Sequence, residues 1–185
     1  MKRVLIVLAG ALALALPASA ACVAPEQLAA LTGSHDFVQT RTLKGVSRPL
    51  VSSGQVTPQS DGVLWTVTHP IEIVTHVTPT GITQSIEGGP EQPVGPSGSN
   101  NPFISETGLI ELLKGDLSKL DQRYDVTRGV RARPEGWTLQ LKPKGAALAP
   151  YISGIAVEGC KRVESITVEQ ANGDTIRIDL KDGAA

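Results

Sequence analysis

The sequence predicts a mainly β, α+β fold, an antiparallel sheet with short helices lying on one face. Three observations predict it. The stretch Gly54–Val77 alternates with period two: Val63, Trp65 and Val67 share one face, Leu64, Thr66 and Thr68 the other, and Ile71, Ile73, Thr75 and Val77 resume the pattern. About ten segments of this kind recur between Gly, Pro and Asn turn signals, with no βαβ alternation. Helical spacing is confined to three short stretches. A sheet that wide must curl or split, and so few helices cannot fill a curved inner face. Either the sheet closes on itself or apolar surface lines a cavity.

In chain order, Met1–Ala20 has the form of a signal peptide, with Lys2 and Arg3 ahead of an apolar Val4–Leu16, then Pro17 and Ala18-Ser19-Ala20. The apolar run is shorter than the roughly 20 residues of a membrane span. The remaining chain, from Ala21, is expected to be exported and to form a single domain, 21–185. Cys22 and Cys160 are the two cysteines. In an exported chain an even pair points to a disulfide; lipidation of Cys22 and two free thiols are the other readings. Pro25–Leu31 reads as a helix, with Pro25 in its first turn and Gly33 as its stop. His35–Val46 alternates with a mixed face of Phe37, Gln39, Arg41 and Leu43, and Val51–Val56 is a short strand ending at Pro58. His69-Pro70 marks a turn, and Gly81–Ile86 another strand.

Glu87–Pro102 is rich in Gly, Pro, Ser and Asn and reads as a long loop, on the surface or at the mouth of a pocket. Phe103–Leu120 reads as helical, with Leu109, Ile110, Leu112 and Leu113 as a stripe; Gly115 stops it and Asp116 starts a second short helix carrying Leu117 and Leu120. Strands follow at Tyr124–Ala132, Gly136–Lys142, Ile152–Glu158, Arg162–Gln170 and Thr175–Leu180. Asn172-Gly173-Asp174 is a hairpin signal between the last two.

The formal net charge of −1 argues against nucleic acid as partner. No G-x-S-x-G, Walker, G-x-G-x-x-G or H-E-x-x-H motif is present, so no enzyme, cofactor or metal is called for. His69 and His76 fall on opposite strand faces without a nearby Cys or carboxylate cluster. Arg123, Arg128, Arg131 and Arg133 concentrate positive charge, either as solvated strand faces or as a patch for an anionic partner or headgroup.

Several segments together carry a family resemblance. Phe37-Val38-Gln39-Thr40-Arg41-Thr42-Leu43 is similar to an F-x-Q-x-basic-x-L strand. Gly54, Gly62-Val63-Leu64-Trp65 and Pro70 are similar to a G…W-x-x-x-P region with one extra residue, and Gly136–Pro143 to a late L-x-P strand. In this order, behind a signal peptide, they resemble the LolA-type periplasmic lipoprotein carriers. The resemblance implies a strongly curved antiparallel sheet forming an incomplete barrel covered by short helices. It implies a hollow that shields acyl chains between inner and outer membrane, lined here by Phe37, Val63, Trp65 and Val67. Leu109, Leu112 and Leu113 are expected to cover its opening and to move when cargo enters. The implied partners are an acylated lipoprotein or lipid, an inner-membrane releasing complex and an outer-membrane acceptor, met by a monomer. The family's arginine ahead of the tryptophan strand has no counterpart, since Gln55–Leu64 contains no Lys or Arg. The other reading is a periplasmic binding or assembly module without lipid.

Overall fold

In a computed structural model, described for residues 21–94, 109–114, 116–118, 120–146 and 148–181, eleven strands form one sheet. They are β1 (His35–Thr42), β2 (Leu50–Pro58), β3 (Val63–His69), β4 (Ile73–Thr78), β5 (Gly81–Ile86), β6 (Gln92–Val94), β7 (Tyr124–Ala132), β8 (Glu135–Pro143), β9 (Ile152–Gly159), β10 (Val163–Gln170) and β11 (Thr175–Leu180). The helices are α1 (Leu109–Lys114) and α2 (Leu120–Arg123). Strand order is β6-β5-β4-β3-β2-β1-β11-β10-β9-β8-β7. Two antiparallel meanders, β1–β6 and β7–β11, thus meet where β11 pairs with β1. The register sets Phe37 opposite Leu180 and Gly54. The sheet does not close: β6 and β7 are its edges.

Curvature follows from burial. Laid flat, eleven strands would span about 48 Å at ~4.8 Å per gap. Among the described residues, helices of six and four residues, about 9 and 6 Å long, cannot roof that width. Yet a single apolar cluster runs from Val63 and Val67 on β3, through Phe37, Ile178 and Ile166, to Val157 on β9 and Leu141 on β8. Val157 and Ile166 are fully buried, although α1 packs on β2 and β3 and α2 on β7. The sheet therefore bends its apolar face onto itself, with Leu31 and Leu148 adding to the cluster. Period-two alternation supplies that face, most plainly on β8, where Trp137, Leu139 and Leu141 are buried between the more exposed Thr138, Gln140 and Lys142. The opposite face of the β7–β11 half carries charge, with Arg131 paired to Glu158 and Glu164, and Arg177 to Asp179 and Glu158.

The structure corrects three sequence expectations. Pro25–Leu31 is not a helix. Only Pro25–Gln27 forms a 3₁₀ turn, and Leu28 is extended at φ −64°, ψ 136°. Tertiary bonds stretch this segment: Val23 N–H donates to the Cys160 carbonyl and Leu31 N–H to the Lys114 carbonyl, at opposite ends of it. Glu87–Pro102 is not loop throughout, because Gln92–Val94 is β6, added to β5. Its Pro93 is tolerated because the strand is an edge; residues 95–102 lie outside the described residues. Of the helical stretch Phe103–Leu120, residues 103–108 also lie outside, and the first described helix begins at Leu109. The second starts at Leu120 instead of Asp116. Asp116 accepts from the Ser118 N–H and hydroxyl, an Asx turn ahead of that helix.

Cys22 and Cys160 form a disulfide across 138 residues of sequence, so the first described residues are tied to the β9–β10 turn. Trp137 packs against this corner and its Nε1–H donates to the Cys160 carbonyl at 3.0 Å.

The β10–β11 hairpin turns at Asn172-Gly173-Asp174, with Gly173 at φ +90°. Asp174 is buried and its carboxylate accepts from the Lys44 N–H at 2.9 Å, from Asn172 Nδ2, and from Arg41 at 3.5 Å. The Lys44 N–H, then Asn172 and Arg41, hold this carboxyl below its ordinary value. Its contribution to stability is therefore fully present above that ordinary value, near 3.8, and is lost as pH falls through the lower folded-state value. Urea unfolding of Asp174→Asn is expected to show a shallower loss of stability below about pH 4 than the parent. Equal acid slopes for the two proteins would remove Asp174 from the acid response.

Candidate lipid-binding face

The residues expected to line a hollow come together on the β1–β3 part of the inner face. Gly54 on β2 lies between Phe37 on β1 and Val67 on β3. It presents no side chain, and the ring of Phe37 stacks on that of Trp65 across β2, with centroids 3.9 Å apart and planes at 30°. Phe37, Val63 and Val67 are buried at 1, 2 and 8% exposure, and Trp65 packs partly buried against the same cluster. Gly54 is also a close approach between backbones. A Cβ there would stand 1.8 Å from the Thr66 carbonyl oxygen, where β2 and β3 shift register between Ser53 and Gly54.

Leu112 is fully buried in this cluster, on α1, which packs against β2 and β3. Leu109 and Leu113 lie on the same helix, with side chains outside what the structure describes. The face meets solvent at a depression of about 210 Å³ at the β2–β3 turn end, lined by Gln59, Asp61, Val63, His76, Val77 and Thr78. Val56, Leu117, Leu120 and Tyr124 join the cluster as well. The sequence reading placed none of them at the site. Val56 was legible in principle, because it shares the parity of Gly54 and pairs with Trp65. Tyr124 was not: its burial comes from α2 folding back on β7. That burial pushes its phenol up to about 12, so it stays neutral.

Among the described residues the charged side chains pair locally. Arg123 pairs with Glu111 at 3.7 Å, and Arg128 with Glu26 and Asp121 at 2.7 and 2.9 Å. Arg131 pairs with Glu158 and Glu164. Three of the four clustered arginines are thus paired locally, Arg123 on α2 and Arg128 and Arg131 on β7. His76 does have a carboxylate beside it, Glu91 at 3.0 Å, which the Thr83 hydroxyl also reaches. Thr83 and then His76 lower the Glu91 carboxyl. Among the described residues no group of three or more His, Cys, Asp or Glu is placed to hold a metal.

An open antiparallel sheet, bent so that its apolar face is buried under two short helices, is the class of fold defined by these elements. The chain belongs to the outer membrane lipoprotein carrier protein LolA-like family, whose model matches residues 18–185. No protein of curated function matches the sequence. Among solved structures it is similar to a LolA superfamily protein from Nitrosomonas europaea, with a TM-score of 0.45 and 10% identity over 85% of this chain and 88% of that one. It is also similar to a DUF1329 family protein from Desulfovibrio piger, with a TM-score of 0.42 and 12% identity over 82% and 85%. A third is described as an outer membrane lipoprotein-sorting protein domain, from Vibrio parahaemolyticus, with a TM-score of 0.37 and 12% identity over 81% and 84%.

Proposed function

We propose that residues 21–185 form a single periplasmic carrier domain, exported behind a signal peptide at 1–20. It shields acyl chains of a lipoprotein or lipid on the inner face of the sheet for transfer from inner to outer membrane. The observation that carries this reading is the apolar face of β1–β3, roofed at Leu112 by a helix of only six residues. A short helix leaves its sheet with the loss of few contacts, so the face opens at modest free-energy cost. In the empty protein Phe37, Trp65, Val63 and Val67 pack on one another and on α1. Cargo would take the helix's place, and its differential affinity for the open form would shift the balance. An inner-membrane releasing complex would load the carrier and an outer-membrane acceptor would unload it. It would act as a monomer and without enzymatic chemistry.

The test is mass spectrometry of molecules that co-purify with the exported protein. Acyl-bearing species at near-stoichiometric amounts are expected. A clean, dry protein would favour the alternative of an assembly module whose sheet packs only on itself. Val63→Glu sets an unpaired carboxylate among acyl chains, a penalty of several kcal/mol. Because Val63 is 2% exposed, that variant is also less stable, so acyl load is scored per folded molecule. It is expected to fall at least tenfold, and normal load in the folded fraction would show that Val63 does not face cargo.

A further inference from the structure

The β1–β2 hairpin has a tip that the carrier reading does not use. Val46, Leu50 and Val51 are 48, 58 and 58% exposed. Leu50 and Val51 are consecutive on β2, so they point to opposite faces of the sheet. Between Asp36 and Asp61 the chain contains no acidic residue, while Lys44 and Arg48 flank Val46. Both are exposed, and among the described residues neither side chain has a carboxylate partner. The tip is held firmly from below, through the Lys44 N–H bond to Asp174 and the Val46 N–H bond to the Leu43 carbonyl.

From this geometry we infer that the β1–β2 tip docks on the surface of an anionic phospholipid bilayer. Val46, Leu50 and Val51 enter the headgroup boundary, and Lys44 and Arg48 lie against lipid phosphates. Two features favour a bilayer over a protein partner. Apolar side chains leave the hairpin on both of its faces, and a fluid interface wraps both, whereas one protein surface covers one. The cations sit directly beside the apolar groups, the arrangement of a segment lying in a membrane interface. Connectivity adds an orientation. Ile71 follows β3, whose His69 pairs with Ser53, and so stands at the same end of the sheet. On the far side of that end, Glu72 and Glu87 are joined by a backbone hydrogen bond of 3.0 Å. Their charge tilts the molecule so that the β1–β2 side approaches an anionic surface. Two cations and three aliphatic groups give reversible association, not a permanent anchor. Docking of this kind is separate from any cargo held on the inner face.

Co-sedimentation of the exported protein with vesicles tests this. One set contains phosphatidylglycerol and phosphatidylethanolamine in equal parts, the other phosphatidylcholine alone. Binding is expected on the first set at low salt and to weaken as salt rises. Lys44→Gln/Arg48→Gln is expected to lower affinity about 25-fold, roughly fivefold for each charge. Leu50→Ser/Val51→Ser is expected to lower it about tenfold. All four positions are exposed, so both variants fold. Leu50→Trp should show blue-shifted emission on anionic vesicles only. Equal binding to both vesicle sets, or unchanged binding by both double variants, would overturn the proposal. So would a self-association in solution that Leu50→Ser/Val51→Ser abolishes, since it would assign the tip to a second copy of the chain.

Discussion

Gly54→Ala is expected to destabilise the protein by about 3 kcal/mol or more, at the upper end of what overpacking does. The new methyl would stand 1.8 Å from the Thr66 carbonyl oxygen and 2.8 Å from the Val67 Cα, both backbone atoms that no rotamer change can move. β3 must retreat from β2, and Val67 and Trp65 travel with it. Phe37 then loses its stacking partner as well as the gap it leans across. For a domain of this size the loss corresponds to a fall in Tm of roughly 6–12 °C. Gly145→Ala is the comparison: nothing lies within 4 Å of the Cβ it would add, so it is expected to leave the Tm within a degree or two. Thermal unfolding of the two variants decides the matter. If Gly54→Ala unfolds with the parent, the close approach of β2 and β3 is not a constraint on the fold.

The second large effect concerns the disulfide. Opening the Cys22–Cys160 link with Cys22→Ser/Cys160→Ser releases a loop of 138 residues in the unfolded chain. The chain-entropy model puts the upper limit of the loss at about 5 kcal/mol, and measured losses usually fall short of it. The structure also assigns a local consequence. The Cys160 carbonyl accepts from both Val23 N–H and Trp137 Nε1–H, and Trp137 packs on Gly159, so freeing residue 22 loosens one end of β8 and β9. Urea unfolding with and without reductant should reproduce the difference between parent and double serine variant. A parent whose midpoint ignores reductant, or whose native form yields two alkylatable thiols, would contradict the pairing.

Where strands run was legible because alternation is local. β5, β7 and β11 begin and end where the sequence reading set them, and β8 differs only by one residue at each end. Each is bounded by a turn whose residues are specific to it, such as Asn172-Gly173-Asp174. β6 was hidden for the opposite reason. Three residues, one of them proline, carry no period, and their state depends on β5 offering a free edge. Pro25–Leu31 has good local helix signals, yet hydrogen bonds to Cys160 and Lys114 draw it out. These outweigh propensities of a fraction of a kcal/mol per residue.

Of the candidate site, the sequence by itself determined the face. A period of two places Val63, Trp65 and Val67 together whatever their neighbours do, and the even cysteine pair behind a signal-peptide-like start pointed to the link between residues 22 and 160. Which strands share that face was decided only by tertiary structure. The stacking of Phe37 on Trp65 joins residues 28 positions apart in sequence through an intervening glycine strand, and no local pattern encodes the pairing of β1 with both β2 and β11. Charge shows the same division. Four arginines in one segment look like a patch in sequence, but three of them, Arg123, Arg128 and Arg131, meet carboxylates of Glu26, Glu111, Glu158 and Glu164 that folding brings near. Composition is additive along the sequence, whereas an ion pair or a stacked ring depends on separations of a few ångströms that exist only after the sheet has formed.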